Sequence, residues 1–316
     1  NFFSERRDVF IDASLNGMGR VPGNLCQELI MEHLIRSRRA EYNVDPIYDA
    51  IDDFILSIKA KHSWGYAIPY ALSARYNLHR TYSEYLMQKG KLRTKDIKEI
   101  LACIVPEKKV IYDEKYIEEL YKKYIQMEID DSNHRKILSS EFFGNNIFVI
   151  APGKKILEES DKILRVVKEE KCIVLSVNFV CDFIKSDYIF YSNFRRYVYE
   201  KDLKREEKYI VTSNLLKNKV EADYVFDYLY LTKFGDEICE DSVLMVLKLL
   251  VELNVNKIFI AGFDGFFDGE AHFDTGMDDL LICKDHSEIV KKIVHSFFLD
   301  KKIEFVTPSY YTNPLH

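Results

Sequence analysis

The chain lacks an excess of positive charge, a long apolar run and a paired-cysteine motif, and each absence excludes a class of protein. Its 316 residues include 45 Lys and Arg against 51 Asp and Glu, a net charge of −6. A general nucleic-acid-binding surface needs the opposite balance. The longest apolar runs, such as 147–151 and 258–261, fall far short of the roughly 20 residues that span a bilayer. We therefore expect no nucleic-acid partner, no membrane span and no signal peptide.

Cysteine is sparse, and the cysteines are not paired in sequence. They stand at positions 26, 103, 172, 181, 239 and 283, without a CxxC motif. This spacing gives no support to a zinc site or a disulfide framework, and it favours a reduced, cytoplasmic protein. The 47% of hydrophobic residues are ample for a buried core in two domains or in one large one.

The order of apolar and polar segments predicts an α/β protein with three regions. Residues 1–37 read as a strand at 9–14, a glycine-rich loop and a helix, and residues 38–135 read as a helical extension. In residues 136–316, short apolar runs alternate with helical patterns, which predicts a Rossmann-like, mostly parallel sheet with helices on both faces. The runs predicted as strands are 146–151, 172–178, 188–192, 208–213, 224–231, 257–262 and 303–307.

The first loop, 16–24, has a composition that suits an anion or a substrate. Its glycines let the backbone approach a ligand closely, and Arg20 offers a fork of donors that matches a carboxylate or a phosphate. The predicted substrate- or anion-binding residues are Gly17, Gly19, Arg20 and Asn24. The same spacing also fits a tight strand-to-helix turn with a solvated arginine.

Three consecutive predicted strands end in short polar clusters, at 176–179, 191–193 and 212–214. Such residues often cap helices, but three clusters at one binding edge favour a polar pocket for a sugar or a base. The turn 151–154 precedes a helix and predicts a phosphate site, with an ordinary turn as the alternative. The predicted nucleotide- or phosphate-binding residues are Gly153, Lys154, Ser176, Asn178, Ser192, Asn193 and Asp264.

Three segments of the first third, 11–24, Trp64-Gly65-Tyr66 and 69–74, resemble the C-terminal portion of pyruvate-type aldolases. These are the 4-hydroxy-2-oxovalerate aldolase and HMG-CoA lyase-like enzymes, and segment 92–97 is similar to the helix that follows their barrel. The resemblance implies a (β/α)8 barrel in which Mg²⁺ or Mn²⁺ polarises an oxo-acid, with Asn24 at or near the metal. The family's His-x-His pair is absent, so we expect a fragment of a longer parent enzyme, with no cofactor assured in this chain.

The last half of the chain resembles a different family. Asp241-Ser242-Val243 opens an apolar helix, and a predicted strand ends in Gly262-Phe263-Asp264-Gly265. Together with the asparagine-ended strands, this pair is similar to the nucleotide-sugar-binding domain of bacterial sialyltransferases and related polysaccharide-biosynthesis proteins. The resemblance implies phosphates near the turn 151–154, a nucleotide near Asn178 and a histidine as general base, for which His272 is the nearby candidate.

The two resemblances lead to one principal expectation and two alternatives. The principal expectation is an aldolase-like protein of surface-polysaccharide biosynthesis. In the parent protein it would be a carbon–carbon lyase on a pyruvate-type oxo-acid, with a C-terminal domain for a nucleotide sugar or a sugar phosphate. The first alternative is a glycosyltransferase that acts alone and uses His272. The second is a non-catalytic nucleotide-binding module that assembles through the helical region, and a homodimer is compatible with each of the three.

Overall fold

A computed structural model of the chain describes residues 10–20, 22–38, 40–62, 64–200, 206–265, 284–298 and 301–313. The chain divides into two compact units, the first formed by Asn1–Tyr85 with Ile97–Asp113 and the second by Leu86–Asp96 with Glu114–His316. The three regions predicted from sequence rest on composition, whereas these two units rest on contacts between residues. The predicted three-region division therefore stays a prediction. In the described ranges, no helix has both the length and the apolar character needed to cross a membrane.

The first unit is built from helices. The helices that lie in it or extend from it are α1 (Gln27–Arg38), α2 (Asp45–Ala50), α3 (Leu56–Lys61), α4 (Ile68–Tyr76), α5 (Thr81–Gln88) and α6 (Thr94–Ala102). A π-helical segment, Ile51–Ile55, joins α2 to α3, in agreement with the helical structure predicted for this part of the chain. Ile51 and Ile55 pack against Trp64 in a small buried cluster.

The strand predicted at 9–14 does not form in the described residues 10–14. Ser14 makes one isolated parallel bridge with Cys26, and Phe10 is 95% exposed. A strand is stabilised by a hydrogen-bonded neighbour along its length and by an apolar face to cover. A single bridge to the residue before α1 supplies neither, and the prediction of a strand here is wrong.

The second unit contains a parallel sheet of seven strands in the order β5-β4-β3-β2-β1-β8-β9. These strands are β1 (Asn146–Ile150), β2 (Ile173–Val177), β3 (Tyr188–Tyr191), β4 (Lys208–Thr212), β5 (Tyr224–Phe226), β8 (Lys257–Ala261) and β9 (Ile303–Phe305), and a short hairpin is formed by β6 (Lys233–Phe234) and β7 (Glu237–Ile238). Helices flank the sheet: α7 (Glu114–Ile125), α8 (Ser132–Phe142), α9 (Lys155–Glu158), α10 (Ser160–Glu169), α11 (Phe194–Glu200), α12 (Tyr228–Leu231), α13 (Ser242–Glu252) and α14 (Lys284–Ile293). The predicted Rossmann-like α/β class is confirmed.

The central strands are mostly apolar and buried, because helices cover the sheet. Phe148 and Ile150 of β1 pack with Ile163 of α10 and Phe259 of β8 in one buried cluster. Helix α13 is buried nearly all round, which is typical of a helix inside the core rather than at its surface.

One predicted strand is too long, and the reason is a helix cap. The run 224–231 forms β5 only as far as Phe226, because the Asp227 carboxylate accepts a hydrogen bond from the Tyr230 N–H at 2.6 Å. A side-chain oxygen that accepts such a bond starts a helix, and α12 follows.

At the amino edge of the sheet, one carboxylate joins α8 to three strands. Glu141 accepts hydrogen bonds from the hydroxyls of Tyr188 at 2.5 Å and Tyr224 at 2.7 Å, and from the Lys208 ammonium at 2.8 Å. Burial alone would raise the pKa of Glu141, but these donors hold it below its ordinary value. The cluster fixes the sheet at the end opposite to the predicted binding edge.

The strand order reverses between β1 and β8. Strands β2 to β5 follow on one side of β1, whereas β8 and β9 lie on the other. In open parallel sheets, ligands bind in the crevice outside the carboxyl ends of the strands at such a reversal. The topology therefore directs attention to the loops after β1, β2, β3 and β8.

Candidate functional site

The four residues predicted at the first glycine-rich loop lie together, and the loop is closed on itself. The Asn24 side-chain amide donates to the Met18 carbonyl at 2.9 Å, and the Asn24 N–H donates to the Gly17 carbonyl at 2.9 Å. A methyl group at Gly19 would come within 2.5 Å of the Asn24 amide. Arg20 is exposed, so its guanidinium is available to an anion in solvent.

This loop does not fit the divalent metal that the aldolase resemblance implies. Asn24 offers a single amide oxygen, whereas Mg²⁺ and Mn²⁺ sites are built from several oxygen ligands. In the ranges that the structure describes, no group of three or more His, Cys, Asp or Glu side chains could hold a metal ion. We derive no chemical step through a metal in this chain.

The Trp64-Gly65-Tyr66 segment and the first loop, which carry the aldolase resemblance separately, are in contact. The Trp64 indole N–H donates to the Asn16 carbonyl at 2.8 Å. The Lys59 ammonium donates to the Asn16 side-chain oxygen at 2.8 Å, and the Asn16 N–H donates to Glu28 at 3.1 Å. The loop conformation is therefore fixed from three directions.

In the second unit, the turns after β1 and β8 meet at the strand-order reversal, and we call residues 151–155 and 262–264 the switch-point turn. The Asp264 carboxylate accepts a hydrogen bond from the Lys155 N–H at 2.9 Å. A methyl group at Gly153 would lie 2.5 Å from that carboxylate, and Gly262 has a left-handed backbone, with φ of +73°. In this turn, the Lys155 N–H is therefore already bound to an anionic oxygen, that of the Asp264 carboxylate.

Two of the predicted asparagine-cluster residues meet at the carboxyl ends of β2 and β3. Asn178, whose backbone is left-handed with φ of +60°, accepts a hydrogen bond from the Ser192 N–H at 3.1 Å. Its amide donates to the Ser242 hydroxyl at 2.7 Å, and the two serine hydroxyls are 2.6 Å apart. We call Asn178, Ser192 and Ser242 the edge cluster.

Three other predicted residues lie outside this cluster. Ser176 pairs with Ser186 at 2.6 Å, and both hydroxyls are buried in the core. Asn193 accepts a hydrogen bond from the Arg195 N–H at 3.0 Å, which is the local capping role that the sequence left open. Lys154 belongs to the switch-point turn, and its side chain is exposed.

The predicted general base, His272, lies outside the described residues. Sequence reasoning missed another histidine at this edge, His286, whose Nε2 lies 3.9 Å from the Asp241 carboxylate. The other Asp241 oxygen accepts hydrogen bonds from the N–H groups of Val243 and Leu244 and so caps α13. Burial would raise the pKa of Asp241, but His286 and the Leu244 N–H hold it below its ordinary value.

A solvent-open cleft lies beside the loops that follow β3 and β4. Its lining includes Lys91, Asp96, Tyr124, Phe194, Asn214 and Lys217, and we call it the side cleft. Asn214, from the third predicted polar cluster, donates to the Ser192 carbonyl at 3.1 Å. Ser192 therefore belongs to the edge cluster and also contacts a residue of the side cleft.

The floor of the side cleft is a buried polar network. The Lys91 ammonium donates to the Tyr228 hydroxyl at 3.1 Å and to the Glu240 carbonyl, and it lies 3.6 Å from the Glu240 carboxylate. The Tyr121 hydroxyl donates to Glu240 at 2.9 Å. Burial and the negative charge of Glu240 both raise the pKa of Tyr121 and of Tyr228, so the two phenols are neutral donors.

The side cleft could not have been found from sequence spacing, because α7 and the loops after β3 and β4 are far apart along the chain. The edge cluster was found in part, because Asn178 and Ser192 end predicted strands. Comparison with known proteins gives no further assignment, since no family model, no curated protein and no solved structure matches the chain.

Proposed function

We propose that the second unit binds a nucleotide sugar or a sugar phosphate at the carboxyl edge of its sheet, over β1, β2, β3 and β8. The observation that carries the proposal is the edge cluster of Asn178, Ser192 and Ser242 at the carboxyl ends of β2 and β3. Amide and hydroxyl groups grouped in this way suit the polar edge of a base or the hydroxyls of a ribose. In open parallel sheets, ligands bind outside the carboxyl ends of the strands, which is the edge on which the cluster lies.

The switch-point turn supports the phosphate part of the proposal. The Lys155 N–H already binds an anionic oxygen, that of Asp264, at 2.9 Å. A phosphate oxygen has the same charge sign and the same acceptor chemistry as that carboxylate. The phosphate would take the place of the Asp264 oxygen on the Lys155 N–H, and the carboxylate would turn away.

The test is a thermal-shift titration of the chain with CMP, CDP, UDP and GDP, each alone and as a nucleotide sugar. A ligand that binds only the folded state raises the free energy of unfolding by about 2.7 kcal/mol at a hundred times its dissociation constant. Asn178→Asp keeps the side-chain shape but puts a negative charge in the edge cluster, and we expect it to abolish the shift. Asn254→Asp is the matched control, because Asn254 also has a left-handed backbone and is exposed. No shift with any ligand would refute the proposal.

Asp264→Asn tests the contacts of the phosphate groups separately from those of the nucleoside. Removing the charge is expected to tighten diphosphate binding about fivefold, since a like charge about 4 Å away costs about 1 kcal/mol in water. Binding of the matching nucleoside should not change. Isothermal titration calorimetry measures both affinities, and equal changes for the two ligands would show that the phosphates do not lie at the switch-point turn.

A second proposal concerns the first unit: its Arg20 loop binds the carboxylate of a pyruvate-type oxo-acid, as part of the carbon–carbon lyase chemistry of a longer parent protein. The contact between Trp64 and Asn16 favours it, because it joins the two segments that carry the resemblance. Calorimetric titration with pyruvate should give saturable binding that Arg20→Ala removes. Arg36→Ala, at an exposed arginine of α1, should have no effect, and equal losses would refute this proposal.

A further inference from the structure

We infer that the side cleft is a second ligand site, which binds a sugar carrying one anionic group, either a phosphate or a carboxylate. The site lies beside β3 and β4 rather than at the strand-order reversal. Its residues are distinct from those of the edge cluster and the switch-point turn, so binding here does not depend on the nucleotide proposal.

The anionic group is favoured by two ammonium groups that are held in position at the cleft. The Lys217 ammonium lies 4.1 Å from the centre of the Tyr124 ring, and an aromatic face stabilises such a cation. Lys91 is held by Tyr228 and Glu240 on the cleft floor. Cations that are already oriented lose less conformational entropy when an anion binds.

The sugar is favoured by the acceptors and donors that share the cleft with these cations. The Asp96 carboxylate accepts one hydrogen bond on each oxygen, from the Tyr124 hydroxyl at 2.9 Å and from the Arg93 N–H at 2.7 Å. Each carboxylate oxygen can accept a second bond, so Asp96 can bind sugar hydroxyls. Asn214 adds an amide.

The charge and the polarity of the cleft match this ligand class. Small-molecule sites combine aromatic walls with a few placed polar groups. The Lys91 ammonium lies 3.6 Å from the Glu240 carboxylate, and the Arg93 guanidinium lies 3.7 Å from the Asp96 carboxylate, so these four charges balance. Lys217 gives the cleft a net positive charge, which favours one anionic group rather than several, and a monosaccharide with a single phosphate or carboxylate carries that charge.

The experiment is a calorimetric titration of the full chain with glucose 1-phosphate, glucuronic acid, glucose and inorganic phosphate. We expect saturable binding of glucose 1-phosphate or of glucuronic acid, and the stronger of the two identifies the anionic group. Glucose and phosphate alone should bind at least tenfold more weakly. Lys217→Gln should weaken the charged sugar about tenfold, whereas Lys219→Gln, an exposed neighbour, should leave its affinity unchanged.

Three results would overturn the inference. The first is no saturable binding of either charged sugar by a chain whose melting shows that it is folded. The second is equal affinity for wild type and Lys217→Gln. The third is charged-sugar binding that Asn178→Asp abolishes and Lys217→Gln does not, which would place the sugar at the edge cluster instead. Tyr124→Phe, which removes the hydroxyl on Asp96, is a second variant and should weaken binding by a smaller factor.

Discussion

The switch-point turn and the side cleft lie at the same edge of one sheet, but they offer opposite kinds of recognition. At the turn, the donors are backbone N–H groups, and the chain's own Asp264 occupies them. At the cleft, the donors are lysine side chains held against aromatic rings, and they border open space. A ligand at the turn would have to displace a carboxylate, whereas a ligand at the cleft would meet lysine side chains that border solvent.

The two sites differ in how the backbone is used. The turn needs glycine because the strands on either side bring two chain segments into contact, and no side chain fits between them. The cleft lies where helices approach the sheet edge, and side chains supply its chemistry. Ser192 joins the edge cluster to the side cleft, because its N–H donates to Asn178 and its carbonyl accepts a hydrogen bond from Asn214.

We expect the largest change in the free energy of unfolding from a substitution in the switch-point turn. In Gly262→Ala, the new methyl group would overlap the Ala151 carbonyl oxygen and lie 2.6 Å from a methyl carbon of Ile156. Overpacking and the left-handed backbone together should lower the free energy of unfolding by about 2–5 kcal/mol. Denaturant unfolding measures it.

Gly144→Ala is the control for that substitution. Gly144 has φ of +71° with nothing within 4 Å of its added methyl group. It should cost only the backbone strain, about 1–2 kcal/mol. Equal losses for Gly262→Ala and Gly144→Ala would show that the turn is not closely packed.

The next effect tests the edge cluster, which Ser192 joins to the side cleft. Asn178→Ala leaves the buried Ser192 N–H without its acceptor, in addition to placing alanine in a left-handed conformation. Asn254→Ala shares only the conformational term. We expect Asn178→Ala to cost about 1–3 kcal/mol more than Asn254→Ala in denaturant unfolding, and no difference would mean that the edge cluster does not stabilise the fold.

A smaller effect is the pH dependence that Asp241 contributes beside the edge cluster. Its pKa is lower in the folded state, so its stabilisation is present above the unfolded pKa of about 3.9 and is lost as the pH falls through the folded pKa. Asp241→Asn keeps a good helix cap but should flatten the fall in unfolding free energy below about pH 4. His286→Gln should produce the same flattening, and an unchanged slope in both variants would contradict the account.

Much of the fold could be predicted because each strand of the sheet is a short apolar run bounded by polar residues. Two predictions of strands are wrong, because the contact that decides each one leaves no periodic pattern in the sequence. The Asp227 cap ends β5 at Phe226, and residues 10–14 lack a neighbouring strand. Local composition shows neither fact, since both depend on which partner a backbone group finds.

Residues of the candidate site could be predicted from sequence only where a polar residue that can bind a ligand also ends a predicted strand. Asn178 and Ser192 met that condition, whereas Ser242 and His286 come from α13 and α14, far along the chain. Ser176 ends a strand as well, but it points into the core and pairs with Ser186. The direction of a side chain at a strand end depends on register and packing, and the sequence pattern does not resolve it.

One calorimetric panel with two ligands and two variants shows whether this edge of the sheet holds two separate sites. The preferred nucleotide and glucose 1-phosphate, or glucuronic acid if it binds more tightly, are each titrated into wild type, Asn178→Asp and Lys217→Gln. We expect Asn178→Asp to lose the nucleotide and keep the charged sugar, and Lys217→Gln to do the reverse. Loss of both ligands in the same folded variant, or binding of neither by wild type, would contradict two separate sites at this edge.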